Sequence, residues 1–182
     1  MKKLLSLVLT FSVMMSTVHA ETDNAASWYL GAGAGVSRLN PDTKNSEFSV
    51  SDKYDFAFKA YAGYDWSERI SAEAYYTDLG KAGISPYGEV DYRDFGISGL
   101  YYFRERPDYR YGWALFGKLG VGRMKNDSDL RYKRNHDYHV LFGIGTEHKI
   151  TTHLTLRFEL ELFEEDAQLL SFNLMRRFDS GR

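Results

Sequence analysis

The chain has 182 residues, no cysteine and a formal net charge of −2. A disulfide framework is therefore excluded, and the lack of a basic excess argues against a nucleic-acid partner. Mean hydropathy is low at −0.45, yet aromatic residues make up 16% of the chain. A wall of strands with alternating faces produces this combination, because lipid-facing and inward-facing residues average out.

The first twenty residues read as a secretory signal peptide. Lys2 and Lys3 supply a positive start, an apolar stretch covers residues 4–15, and Val18-His19-Ala20 ends in the small residues that signal peptidase prefers. We expect cleavage after residue 20, leaving 21–182 as one domain. No later stretch approaches the run of about 18 apolar residues that a transmembrane helix needs.

The remaining sequence contains eight runs in which apolar and polar residues alternate. Each has about the length that a tilted strand needs to cross a bilayer. In chain order they cover residues 28–36, 54–66, 70–77, 92–103, 113–121, 138–147, 154–162 and 170–178.

One face of these runs carries charges and the opposite face is almost entirely apolar. The charged face cannot form the core of a soluble barrel, so the polar side points inward and the apolar side meets lipid. The charged positions are Lys59, Glu73, Lys118, Glu147, Arg157 and Glu159. The sequence therefore predicts an all-β, eight-stranded antiparallel transmembrane barrel with up-and-down meander topology in a bacterial outer membrane.

The connections alternate between short and long. Short turns are predicted near Ser67, at 104–110, near Thr151 and at 164–168, and longer loops at 39–53, 80–89 and 124–135. This alternation places both termini on the periplasmic side. Five aromatic residues would form a girdle at that interface: Trp28, Trp66, Phe103, Trp113 and Phe178.

Several segments resemble the N-terminal transmembrane domain of the outer membrane protein A family and its small relatives. They are W-Y-L-G-A-G-A-G (28–35), A-G-Y-D-W (62–66), E-A-Y-Y-T-D-L-G (73–80), G-T-E-H-K-I-T-T-H-L-T-L-R-F-E-L-E (145–161) and S-F-N-L-M-R-R-F (171–178). The resemblance spans nearly all of 21–182 and implies recognition by the barrel-assembly machinery through the strand ending at Phe178. Arg176 stands where many members have an aromatic residue. We expect the family's periplasmic peptidoglycan-binding domain to be missing.

The resemblance also implies roles for the inward charges. Glu73, Glu147 and Arg157 match an interior salt-bridge gate, and Lys118 matches an inward arginine. Leu100 stands at the position of the gating lysine, so Lys59 becomes the candidate for that role. Three cations then balance three carboxylates. The plain interpretation is structural ion pairing, because an unpaired buried charge is costly; the alternative is a narrow, transiently opening ion path.

Four basic residues lie in the predicted loop 124–135. Lys125, Arg131, Lys133 and Arg134 would sit above the outer leaflet, where lipopolysaccharide carries phosphates. Contact with these phosphates is one hypothesis, and a solvated polar loop is the other. The inward glycines of 31–35 do not suggest a nucleotide loop. We expect them to leave room for lysine and arginine across the lumen.

The favoured function is structural and interactive: envelope integrity, and adhesion of surface loops to a host or surface ligand. A narrow gated pore is the second hypothesis. A lipid-modifying enzyme is third, since Ser128, Asp137 and His139 could approach one another although no deacylase motif is present. We therefore expect that the protein is not an enzyme and has no cofactor. We also expect no metal site, because the histidines lack the spacing of metal ligands.

Overall fold

The computed structural model describes residues 27–39, 49–52, 54–85, 88–103, 112–128, 136–163 and 167–179. The predicted signal peptide lies outside these residues. The described strands are β1 (Ser27–Leu39), β2 (Ser49–Asp52), β3 (Tyr54–Asp65), β4 (Ile70–Ser85), β5 (Gly88–Tyr102), β6 (Trp113–Ser128), β7 (His136–Lys149), β8 (Leu154–Phe163) and β9 (Ala167–Asp179). The described residues include no helix that is both long and apolar enough to span a membrane.

The strands close into a barrel. Every barrel strand pairs antiparallel with its neighbours, and β1 pairs with β9 from Ser27 opposite Asp179 to Leu39 opposite Ala167. Both β2 and β3 pair with β4, β2 near its loop-end terminus and β3 along the rest, so together they form one of the eight strands of the barrel. The prediction of a closed eight-stranded meander is confirmed. Closure leaves no unpaired sheet edge in the lipid.

The two ends of the barrel differ in their connections. Both described chain ends meet where Ser27 pairs with Asp179, and the turns 66–69 and 150–153 lie at the same end. Each turn is closed by backbone bonds, such as Ile150 N donating to Leu154 O at 2.8 Å. We call this the turn end and the opposite one the loop end. The predicted aromatic girdle lies on the outer surface at the turn end; its periplasmic location stays a prediction.

Several strands extend beyond the predicted membrane span. The predicted loop 80–89 is wrong, since β4 continues to Ser85 and β5 begins at Gly88. Strand β6 likewise runs to Ser128, inside the predicted loop 124–135. Apolar alternation stops where lipid stops, but backbone groups continue to pair in a hairpin beyond it.

A bulge marks the start of the hairpin extension. The β4–β5 register shifts between Asp78 and Gly80, and Gly80 has a φ of 80°. The Oδ1 atom of Asp78 accepts the Gly80 N–H at 3.0 Å. Glycine fits this left-handed backbone because it lacks a Cβ atom.

The two faces of the wall have opposite chemistry. Apolar side chains such as Ile97, Leu119 and Leu170 are about three-fifths exposed on the outside, whereas charged residues such as Arg157 and Glu161 are fully buried inside. The predicted polar interior and apolar exterior are confirmed.

Candidate functional site

Arg157 on β8 lies at the centre of the barrel interior. Its guanidinium donates to Oε1 of Glu147 on β7, with Nε at 2.8 Å and Nη2 at 2.6 Å, and also pairs with Glu73 on β4. The two glutamates therefore hold one cation from different sides. Charge-assisted bonds of this kind are about twice as strong as neutral ones, and they offset part of the cost of desolvating the buried groups.

Two lysines extend this network toward the loop end. Nζ of Lys118 contacts Glu73 at 2.8 Å, Glu161 at 3.0 Å and Glu159 at 3.2 Å. Nζ of Lys59 contacts Glu159 at 2.6 Å and Glu161 at 2.7 Å. The structure thus brings together all six residues proposed from the sequence. Lys59 pairs with the β8 carboxylates, and no contact is seen between it and Glu73 among the described side chains.

A second arginine extends the network toward the turn end. Nε of Arg177 contacts Oδ2 of Asp65 at 3.0 Å, and its Nη2 contacts Oε2 of Glu147 at 2.9 Å. Glu147 thereby links Arg177 to Arg157. Sequence reasoning missed Arg177, although the alternation that turns Arg176 and Phe178 outward also turns Arg177 inward.

The expected balance of three cations and three carboxylates does not hold. Two further carboxylates that lie inward by the same alternation, Asp65 and Glu161, join the network together with Arg177. The network therefore contains four cations and five carboxylates. They are Lys59, Lys118, Arg157 and Arg177 against Asp65, Glu73, Glu147, Glu159 and Glu161.

Aromatic rings pack around the network. The guanidinium carbon of Arg157 lies 4.8 Å from the ring centroid of Tyr61, and the Tyr61 ring would lie 2.2 Å from a Cβ atom at Gly31. Glycine at 31 therefore permits the tyrosine to approach the β1 backbone. The expectation that inward glycines leave room for lysine and arginine needs correction: Tyr61 takes the room at Gly31, and Asn173 takes it at Gly33.

An apolar layer fills the interior on the loop side of the Lys59–Glu161 pair. Its members come from five different strands and are at most 1% exposed: Leu39, Leu79, Leu141, Phe163 and Leu169. Apolar side chains resist hydration and so oppose ion passage. The buried His139–Asp94 pair lies at the same level, with the His139 ring centroid 5.9 Å from that of Phe163. The predicted gate position Leu100 is also apolar and packs in a separate buried cluster with Tyr102, Ala114 and Phe116.

His139 faces a carboxylate on another strand. Its Nε2 lies 3.4 Å from Oδ2 of Asp94 on β5, and both side chains are buried. The hypothetical partners Ser128 and Asp137 have side chains outside the described set. The described part of the chain holds no group of three His, Cys, Asp or Glu residues suited to a metal ion.

The four basic residues of the predicted loop divide into two groups. Lys125 lies on the outer surface of β6, with Nζ 5.6 Å from the ring centroid of Phe95. Arg131, Lys133 and Arg134 lie outside the described residues.

Comparisons with known proteins agree with this architecture. A family model described as "Outer membrane protein beta-barrel domain" matches residues 5–178. A search of curated proteins finds no match. The N-terminal β-barrel domain of Pseudomonas aeruginosa OprF is similar in structure, with a TM-score of 0.58 and 10% identity over 85% of this chain and 99% of that one.

Two surface proteins are also similar in structure. Neisserial surface protein A gives a TM-score of 0.51 at 16% identity, covering 83% of this chain and 97% of that one. Yersinia pestis Ail, the attachment invasion locus protein, gives 0.51 at 15% identity over 85% and 99%; its structure is a complex with the heparin analogue sucrose octasulfate. At these identities the likeness establishes the fold.

Proposed function

Because the chain belongs to the outer membrane protein β-barrel family, we propose that it maintains the outer membrane as a structural protein and presents surface segments to external ligands. Export through a cleaved signal peptide over residues 1–20 is part of this proposal. So is an orientation with both termini in the periplasm and the loop end outside the cell.

The filled interior is the observation that carries the proposal. The ion-pair network occupies the middle of the lumen, and the apolar layer and the buried His139–Asp94 pair fill the space on its loop side. Eight strands leave space for side chains and little else. A barrel filled in this way acts as a rigid support, and its function then lies in the surfaces that it holds in place.

The surface ligand that fits best is a polyanion. Four positive charges lie close together in the sequence here: Lys125 near the end of β6, and Arg131, Lys133 and Arg134 in the connection to β7. A similarly folded barrel, Ail, has been crystallised with a sulfated heparin analogue. We therefore propose that this connection contacts sulfated or phosphorylated molecules at the cell surface.

The test compares a strain lacking the protein with the same strain carrying wild-type or charge-neutralised protein. Loss of the barrel should increase sensitivity to large, membrane-excluded antibiotics. Neutralising Arg131, Lys133 and Arg134 in the connection, with Lys125 kept, should spare that barrier but reduce binding to immobilised heparin. An unchanged barrier in the deletion strain would contradict the structural role, and undiminished heparin binding would contradict the polyanion ligand.

A narrow gated pore is the second candidate, and one observation favours it. Oxygens of Glu159 lie 2.6 Å from Lys59, 3.2 Å from Lys118 and 3.6 Å from Arg157. A carboxylate near three cations can exchange partners at small cost, as a gate requires. Planar-bilayer recording decides between the two: reproducible small conductance that is lost in Glu73→Gln favours the pore, and silence of the wild-type protein favours the support.

No catalytic role is proposed. His139 is buried inside the barrel and faces Asp94. Mass spectrometry of lipid A from the deletion strain would reveal an enzyme as a missing acyl modification.

A further inference from the structure

Three basic residues lie together on the lipid-facing wall near the loop end. Arg93 on β5 stands opposite Lys125 on β6, and Phe95 stands opposite Arg123 on the same strand pair. The alternation that turns Ile97 and Val121 outward also turns these residues outward. We call Arg93, Arg123 and Lys125 the basic patch.

The height of the basic patch matches a membrane border. Trp113 belongs to the aromatic girdle at the turn end, and Arg123 follows it on β6 by ten residues. At about 3.3 Å each and a tilt of about 40°, this segment rises about 25 Å, the height of the apolar band of such barrels. The patch therefore lies at the level of lipid headgroups on the loop-end side.

The described neighbours of the patch contact its charged groups through aromatic rings. The guanidinium carbon of Arg123 lies 6.0 Å from the ring centroid of Tyr138, and Nζ of Lys125 lies 5.6 Å from that of Phe95. Within the described residues, neither cation contacts a carboxylate, and the Nε atom of Arg123 is buried with no hydrogen-bond acceptor.

Arg93 is the exception. Its Nε lies 3.8 Å from Oδ2 of Asp78, with both side chains nearly half exposed. An exposed pair at this distance contributes little, so a stronger anion can displace it. The patch thus offers two arginines and one lysine to an anion arriving from the membrane.

We propose that the basic patch binds a phosphate group of lipopolysaccharide in the outer leaflet. Arginine forks match phosphate oxygens in paired hydrogen bonds, and the lysine adds a point charge. Three cations within one patch favour a headgroup with more than one negative charge. The connection between β6 and β7 holds Arg131, Lys133 and Arg134, whereas the basic patch is built on strands at the level of the lipid headgroups. The proposal rests on the proposed orientation with the loop end outside.

The test measures lipid binding by refolded protein in neutral detergent. The probes are lipopolysaccharide, chemically dephosphorylated lipopolysaccharide, phosphatidylglycerol and inorganic phosphate. The variant R93Q/R123Q/K125Q removes the patch. The matched control is R176Q, which removes an outward arginine at the turn end.

We expect the triple variant to bind lipopolysaccharide at least about tenfold more weakly than wild type and R176Q, consistent with the loss of charge-assisted bonds. Wild type should bind dephosphorylated lipopolysaccharide as weakly as the triple variant binds intact lipopolysaccharide. Equal binding by the triple variant, or unaltered binding after dephosphorylation, overturns the proposal. If wild type binds phosphatidylglycerol as tightly as lipopolysaccharide, the assignment to lipopolysaccharide is overturned. Inorganic phosphate alone should not compete with lipopolysaccharide for the patch.

Folding is monitored in every sample by heat-modifiable migration in detergent gels. Absence of this shift in the wild-type protein would contradict the barrel itself. If the protein folds but removal of the basic patch leaves lipopolysaccharide binding unchanged, only the lipid site is contradicted. If the triple variant does not fold, the single R123Q variant replaces it. We then expect an intermediate loss of affinity for lipopolysaccharide, and an unchanged affinity would contradict the site.

Surface labelling of intact cells tests the orientation separately. A cysteine placed in the 129–135 connection should react with an impermeant reagent. Failure to react would contradict the proposed function, while leaving phosphate binding in detergent as a property of the patch.

Discussion

Asp94 on β5 and His139 on β7 face each other across the interior, with Oδ2 and Nε2 separated by 3.4 Å. Within the described structure Asp94 contacts no lysine or arginine, and its polar neighbours are His139 and the hydroxyl of Tyr75. The other five carboxylates that are buried among the described residues each contact a lysine or arginine. Asp94 is therefore the carboxylate whose burial is least compensated.

Replacing Asp94 by asparagine should stabilise the barrel. The substitution keeps the shape of the side chain and removes a buried charge that lacks a strong partner, so we expect a gain of about 1–3 kcal/mol in the free energy of unfolding. Reversible urea unfolding in lipid vesicles measures it. Glu73→Gln is the matched control, and it should lower stability because Glu73 pairs with Arg157 and Lys118. Destabilisation by Asp94→Asn would show that the Asp94–His139 pair is a compensated ion pair.

Replacing Arg157 by methionine should have the largest effect in the network. The substitution leaves Glu73 and Glu147 without their central cation, and breaking a buried pair from one side costs about 3–5 kcal/mol. The same unfolding measurement applies. Arg176→Met, on the lipid-facing surface near the turn end, should change stability by about 1 kcal/mol or less. Equal effects of the two substitutions would mean that the interior pairs contribute no net stability.

The period-two alternation was sufficient to predict which residues face the lumen. It placed Lys59, Glu73 and Arg157 correctly, and the same rule applied to β9 gives Arg177. The positions that resemble known gates do not include Arg177, so the resemblance gave no indication of its role. The partners themselves could not be predicted: that Lys59 meets Glu161 depends on how strands distant in sequence meet across the lumen.

Strand ends were less predictable than faces. The apolar alternation fades near Gly80, yet β4 continues to Ser85 because it pairs with β5 and β2 outside the apolar band. Hydrogen bonding between strands leaves no hydrophobic pattern in the sequence. The lengths of the loops beyond the membrane were therefore overestimated.

Gly80 at the β4–β5 bulge should not tolerate a side chain. Alanine would have to adopt a φ of 80°, and its Cβ atom would lie 2.4 Å from Oδ2 of Asp55. We expect Gly80→Ala to lower the free energy of unfolding by about 1–3 kcal/mol. Gly99→Ala is the control, since a Cβ atom there meets nothing within 4 Å, and it should change stability by no more than about 0.5 kcal/mol. A Gly80→Ala protein as stable as Gly99→Ala would argue that the bulge has no strict conformational requirement.

Arg176 should slow the assembly of this barrel. It lies on the outer face of β9 two residues before Phe178, with its guanidinium carbon 5.4 Å from the Phe178 ring centroid. The sequence resemblance implies that an aromatic residue at this position forms part of the signal for the assembly machinery. We therefore expect Arg176→Phe to fold faster in reconstituted vesicles containing that machinery. The readout is the fraction of protein with folded gel migration over time. Leu174→Phe, which adds a ring to the same face outside the signal, should give no acceleration, and Phe178→Ala should fold more slowly. If Phe178→Ala is slow while Arg176→Phe matches wild type, then the terminal phenylalanine alone is the signal in this chain.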